Sequence, residues 1–205
     1  MMRFFLCGIL FFGILETVLA GYVPRAFMGE FTQTKKSINS RDLKTTISLK
    51  YQARGNVYMK SSGLDDEKIY VCNPEKIWIY TPPFLEGEKG EVKIGKASNQ
   101  CLSKVFDKLD QGLVSNSDYK VKKINDKSYL LDFSQANEKL LGFYKFELVF
   151  EDKAANFNQL KLMRMYTRND KNPTVLTKKK LTILKGFDKS TFQFDPPKNT
   201  NIDYL

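Results

Sequence analysis

The chain has few groups able to do chemistry, and the ones that stand out are thiols and carboxylates. Of its three cysteines, Cys7 lies in an apolar N-terminal run, which leaves Cys72 and Cys101 as the pair that could form a covalent link. A catalytic thiol needs a neighbouring base to become a thiolate, and the sequence contains no histidine. The same absence removes Ser-His-Asp and Cys-His relays, H-E-x-x-H zinc sites and every imidazole general base. Neither G-x-x-x-x-G-K-[ST] nor G-x-G-x-x-G occurs, so no loop is visible that would cradle the phosphates of a nucleotide. Asp65, Asp66 and Glu67 fall in a polar turn and read as solvated carboxylates, not as a paired acid and base. No catalytic group, metal or cofactor is expected. What remains is a strongly basic surface, with 33 Lys+Arg against 23 Asp+Glu and a net charge of +10. That sign suits acidic partners: nucleic acid, anionic lipid or an acidic protein surface. Nucleic acid calls for aromatics interleaved with arginine, or a binding motif; neither is present, and no nucleic-acid partner is expected.

The N-terminus sets the compartment in which the cysteines would work. Residues 1–3 make a short positive start, residues 4–15 an apolar run, and Val18, Leu19 and Ala20 supply small or tolerated side chains before Gly21. This is the layout of a secretory signal peptide. A bilayer span needs about 20 apolar residues, and Glu16 ends the run too early. The expected organisation is a signal peptide at 1–20 and one exported domain at 21–205, with the net charge still +10 after cleavage. A length near 200 with 42% apolar residues is enough for one domain with a sizeable core. In an oxidising compartment Cys72 and Cys101 read as a disulfide worth roughly 3–4 kcal/mol in the chain-entropy model. Two unpaired, buried thiols are the alternative.

From Phe27 onward the dominant period is two, the mark of strands with one buried face. In residues 143–150, Tyr144, Phe146, Leu148 and Phe150 share one face while Lys145 and Glu147 share the other. Similar runs fall near 27–34, 44–52, 56–61, 67–72, 76–81, 91–95, 118–124, 128–133, 157–167, 174–185 and 191–194. Turn formers separate them, among them Arg54-Gly55-Asn56, Asn73-Pro74 and Asn125-Asp126. Short connections imply antiparallel neighbours and one large meandering sheet, and about ten strands must curl or close. One segment breaks the rhythm: across 98–112, Leu102, Val105, Phe106 and Leu109 recur at helical spacing, with Ser98 or Asn99 as candidate cap and Gly112 as stop. A single amphipathic helix inserted between two halves of a sheet cannot cover a whole face. Either the curled sheet encloses an apolar hollow, or it packs on itself with none.

Taken in order, several segments resemble the periplasmic outer-membrane lipoprotein carrier family (the LolA family). Phe31-Thr32-Gln33 is similar to its early F-T-Q strand, and Arg54-Gly55-Asn56-Val57-Tyr58 to its R-P-N-L-F turn. Residues 69–73 and 76–82, I-Y-V-C-N and K-I-W-I-Y-T-P, resemble its W-x-Y-x-P hairpin, and Phe192-Gln193-Phe194-Asp195-Pro196-Pro197 its terminal F-x-F-x-P-P. The resemblance implies a mainly β fold: an incomplete antiparallel β-barrel of about eleven strands with one or more lid helices over a hydrophobic cavity. It implies a soluble, monomeric periplasmic chaperone and not an enzyme. Such a carrier takes acylated lipoproteins from an inner-membrane ATP-driven exporter and passes them to an outer-membrane receptor. A same-fold module for another acylated lipid or a glycolipid is the alternative.

Carried onto this sequence, the resemblance makes Arg54 the latch that ties the sheet to the lid, since a guanidinium fork can hold several carbonyls at once. It places Tyr58 at the cavity mouth and Trp78 in the hairpin, a lipid-contacting candidate for which an ordinary core role is the favoured alternative. It makes Leu102, Val105, Phe106 and Leu109 the cargo-facing stripe of the lid. Three departures accompany it. Gly55 replaces the turn proline, only residues 21–30 are available for a helix before F-T-Q, and Cys72 and Cys101 are not part of the family pattern. Bridged, the cysteines would tether the Asn73-Pro74 hairpin to the lid.

Overall fold

The computed structural model describes residues 21–36, 42–63, 67–97 and 101–205. The expected signal peptide, Asp65, Asp66 and the capping candidates Ser98 and Asn99 lie outside them. The alternating segments become strands: β1 (Ala26–Lys36), β2 (Asp42–Gln52), β3 (Asn56–Ser62), β4 (Glu67–Cys72), β5 (Lys76–Thr81) and β6 (Gly90–Lys96) form one antiparallel meander. Helix α1 (Ser103–Leu109) then interrupts the sheet. A second meander follows, of β7 (Tyr119–Asn125), β8 (Ser128–Phe133), β9 (Lys145–Phe150), β10 (Leu160–Tyr166) and β11 (Thr174–Ile183). Helix α2 (Gln135–Leu141) lies between β8 and β9. Pairing of β1 with β11, Phe27 opposite Ile183, joins the two halves. The last strand, β12 (Thr200–Tyr204), adds to β6 in parallel. Among the described residues the result is a mainly β, 12-stranded sheet in the order β12-β6-β5-β4-β3-β2-β1-β11-β10-β9-β8-β7, with β12 and β7 at its edges and not paired to each other, so the barrel stays incomplete.

The periodicity accounts for most of this. Strand β9 buries Phe146, Leu148 and Phe150 at every second residue, as a one-sided strand must. Between β2 and β3 the chain reverses through Arg54 and Gly55, both at positive φ (70° and 92°), which glycine adopts freely and arginine does not. Residues 21–30 hold no helix, as their Pro24 and Gly29 suggest; the chain enters β1 directly at Ala26. Residues 191–194 are not a strand, because Phe192 ends a 3-10 turn (Lys189–Phe192). Helix α2 and strand β12 were not legible as elements. Helix α1 begins at Ser103 with Leu102 at its N-cap and no side-chain cap.

Period two gives the sheet two faces with different cover. The inner face carries the main core, centred on aromatic rings: Phe27 lies 5.1 Å from Tyr51 and 5.2 Å from both Phe106 and Phe157. The outer face carries a smaller cluster of Val71, Trp78, Tyr80 and Val92, against which Tyr58 and Phe194 pack. Phe194 belongs to the segment leading from the 3-10 turn to β12, and its ring sits 5.2 Å from Tyr80. Phe27 is the hub of the inner core and is fully buried. Phe27→Ala is expected to cost roughly 3–5 kcal/mol by urea denaturation; a loss under about 1 kcal/mol would mean that the aromatic cluster does not close this end of the sheet.

Candidate functional site

Helix α1 lies over the inner face and presents two different sides. Its apolar side follows the spacing of three and four, and Leu102, Val105 and Phe106 face an apolar cavity of about 230 Å³. Opposite them the sheet supplies Phe31, Ile47, Leu49, Phe146 and Leu176, with Gln33 the one polar side chain in the lining. Three methionines, Met59, Met163 and Met165, complete much of the wall. Unbranched and polarizable, they refit to irregular contents more readily than branched side chains do. Leu109 does not line this cavity; it is 1% exposed and belongs to the inner core.

The polar side of α1 fastens the helix to the rim. Oδ1 of Asp107 accepts from the Tyr51 hydroxyl at 2.7 Å and from the Arg54 backbone N–H at 3.2 Å. Oδ1 of Asp110 accepts from the Val23 N–H at 3.1 Å, while its carbonyl accepts from the Tyr22 N–H at 3.2 Å. Gly21 packs so tightly here that a Cβ on it would lie 1.9 Å from that carboxylate oxygen. Asp118 joins the two helices, accepting from Lys108 Nζ (2.8 Å), Gln111 Nε2 (2.7 Å) and, from α2, Asn137 Nδ2 (2.9 Å). At the other end of α1, the Leu102 N–H donates to the Tyr70 hydroxyl at 3.0 Å. There the helix is also tied covalently, because Cys101 is disulfide-bonded to Cys72 at the end of β4, with Cα atoms 6.0 Å apart.

These contacts shift the groups that make them. Burial, then the hydrogen bond to Asp107, drives the Tyr51 phenol far above its ordinary value, so it remains a donor. Burial pushes Tyr70 up to about 12, against the lowering effect of the Leu102 amide. For Asp118 burial acts upward, but hydrogen bonds from Lys108 and Asn137, the charge of Lys108 and the Gln111 bond outweigh it and hold the carboxyl below its usual range.

Besides Leu109, the expectations for Arg54, Tyr58 and Trp78 need correction. Arg54 does meet the lid, but through its backbone amide, and its guanidinium makes no hydrogen bond or ion pair with the described residues. Tyr58 is not at the cavity mouth, and Trp78 takes the core role and not the lipid-contacting one. They alternate with Val57, Met59, Ile77 and Ile79, which face inward, so both rings emerge on the outer face beneath the C-terminal segment. Tyr58 there lies 5.4 Å from Lys50 Nζ in a cation–π contact. Asp107, Asp110, Asp118 and Tyr51, the groups that hold α1, carried no signal in the sequence beyond a polar helix face and an alternating strand. Among the described residues no cluster of His, Cys, Asp and Glu is suited to a metal, and no helix is long and apolar enough to cross a membrane.

No family model and no curated protein matches the chain. Among solved structures it is similar to an uncharacterized conserved protein from Thermus thermophilus, at 9% identity over 90% of this chain and 93% of the other, with a TM-score of 0.49.

Two outcomes follow from the fastening. Tyr51→Phe leaves Asp107 short of its best donor and is expected to weaken α1 docking by roughly 1–3 kcal/mol. Faster hydrogen exchange across α1, with β1 and β2 unchanged, reports this; uniform exchange would place the hydroxyl outside the fastening. The second concerns acid. A carboxyl lowered in the folded state contributes stability above its unfolded value, lost as pH falls through the folded one. The Asp118 junction of α1 and α2 is therefore expected to hold through mild acid and to loosen only below the ordinary carboxylate range. The Asn137 side-chain amide, followed by NMR during an acid titration, should move there, and a midpoint near neutral pH would contradict it.

Proposed function

We propose that this chain is a periplasmic carrier that shields the acyl chains of lipoproteins between the inner and outer membranes, and that it is not an enzyme. The observation that carries this reading is the apolar cavity between the sheet and the apolar side of α1. In the ordered resemblance to the lipoprotein carrier family, that is where cargo is held. Loading would come from an inner-membrane ATP-driven exporter and delivery would go to an outer-membrane receptor, with the carrier acting as a monomer.

The energetics favour such an escort. At ~0.8 kcal/mol per CH₂, three acyl chains with about 45 methylenes would cost roughly 35 kcal/mol to expose to water. A cavity of about 230 Å³ lies below the roughly 300–1,000 Å³ usual for ligand pockets. In this closed form it accommodates only part of a chain, so α1 must move for a full load to enter. Partial cover also serves release, since a carrier that buried every methylene would not let go. The fastening suits a lid of this kind. Its C-terminal half is held by carboxylate hydrogen bonds that can be exchanged for water, and its N-terminal end is held by the disulfide.

Mass spectrometry of material that stays bound through mild purification from a periplasm tests the reading. Acylated lipoproteins are expected. Free lipids or glycolipids would instead support a same-fold binding module, and an empty cavity with a substrate turned over would support an enzyme. The disulfide gives a second test: breaking it frees the N-terminal end of α1, so transfer of acylated cargo should be faster in the presence of reductant. Equal rates with and without reductant would show that the bond does not restrain the lid.

A further inference from the structure

Of the four arginines among the described residues, two are neutralised by glutamates: Arg164 by Glu147 at 2.7 Å, and Arg168 by Glu138. The other two, Arg25 and Arg54, form no ion pair or side-chain hydrogen bond with the described residues, and both line the same open cleft of about 780 Å³. Lys185, also without such a partner, is a third cation on its wall. The cleft lies against the polar side of α1, with Tyr51, Asp107 and Asp110 in its lining, so α1 separates it from the apolar cavity. Both carboxylates are within the cleft, yet neither takes a guanidinium. Asp107 is occupied by the Tyr51 hydroxyl and the Arg54 amide, and Asp110 by the Val23 amide. Arg54 stands at φ 70° in the tight turn that closes the β2–β3 hairpin, where positive φ is the ordinary turn geometry.

We propose that this cleft binds a phosphate group. Two guanidinium forks match phosphate oxygens bidentately, and the lysine adds a mobile point charge. Arg25, Arg54 and Lys185 line one cleft with Asp107 and Asp110, three cations against two carboxylates, and none of the three is ion-paired with either carboxylate among the described residues. The phosphate can come from the head group of an anionic phospholipid or from free inorganic phosphate. Binding would also act on the lid. Asp107 lines the same cleft, so an anion held there adds a like charge on its side of α1, and like charges repel, which favours release of the Asp107 hydrogen bonds and loosening of α1. This coupling rests on the lid reading above; phosphate binding does not.

The test uses the whole exported chain. Flotation with phosphatidylcholine vesicles is compared with flotation on mixed phosphatidylcholine–phosphatidylglycerol vesicles, and equilibrium dialysis measures inorganic phosphate. The variants are Arg25→Ala with Lys185→Ala, and a control of equal charge change on β7, Lys120→Ala with Lys122→Ala. The expected result is binding to the phosphatidylglycerol vesicles or to phosphate, weakened roughly thirtyfold by the cleft pair and little by the control. Vesicle binding alone identifies the source as a head group, and phosphate binding as well identifies a general phosphate site. Absence of both, or equal losses in cleft and control variants, overturns the proposal, the second because net charge alone would then explain the attraction. Hydrogen exchange of α1 with the bound probe reads the coupling separately: faster exchange supports it, and unchanged exchange with binding intact overturns the coupling while the phosphate site stands.

Discussion

Among the described residues, the apolar inner face of a 12-stranded sheet is kept from water by two helices of seven residues each and the turn at Phe157. The rest of the molecule depends on how that shortage of cover is met. Around Phe27 the aromatic rings of β1, β2, α1 and the Phe157 turn meet and fill the interior. Beneath Leu102 and Val105 they do not, and a space lined almost wholly by apolar side chains remains. The cavity is thus where a short helix bridges a wide curved sheet, and its methionines are where the packing is most adaptable. On the outer face the same shortage is met by the chain itself, whose C-terminal segment lays Phe194 over Tyr80 before ending as β12.

A helix of seven residues is too short to stand alone, so α1 persists by what it touches. Those contacts are divided unequally along its length. The start is covalently tied through Cys101, while the middle and end rely on Asp107, Asp110 and the Asp118 junction. None of these contacts is part of the strand pairing of β1 with β2 and β11. Arg54 enters this arrangement twice, through an amide that serves the lid and a guanidinium that serves nothing within the described chain.

Much of the fold was legible because a strand with one buried face writes period two into its sequence, as in Phe146, Leu148 and Phe150. The apolar stripe of α1 was legible for the same reason at a different period, and so was the proximity of Cys72 to Cys101. Helix α2 is too short to show a period, although Ser134 caps it and Gly142 closes it at φ 80°, signals that could have found it. Strand β12 buries almost nothing and so leaves no alternation, while Phe192 and Phe194 alternate without being a strand. The misplacement of Tyr58, and the lipid-contacting option for Trp78, have a sharper cause. Alternation says which residues share a face but not which face is inner, and the C-terminal segment makes the outer face of β4, β5 and β6 apolar too. Asp107 was invisible because a carboxylate on the polar side of a helix reads as solvated until the partner strand is placed beside it.

The central claim is that acyl chains enter beneath α1 and displace it. Hydrogen exchange measured with and without a diacylated lipopeptide tests this most directly, residue by residue. Exchange should rise across α1 and its flanks at Tyr22 and Val23, fall at the cavity strands β2 and β10, and stay unchanged in the outer cluster around Trp78. Binding that leaves α1 as protected as before, or that protects the Trp78 face instead, would contradict the account.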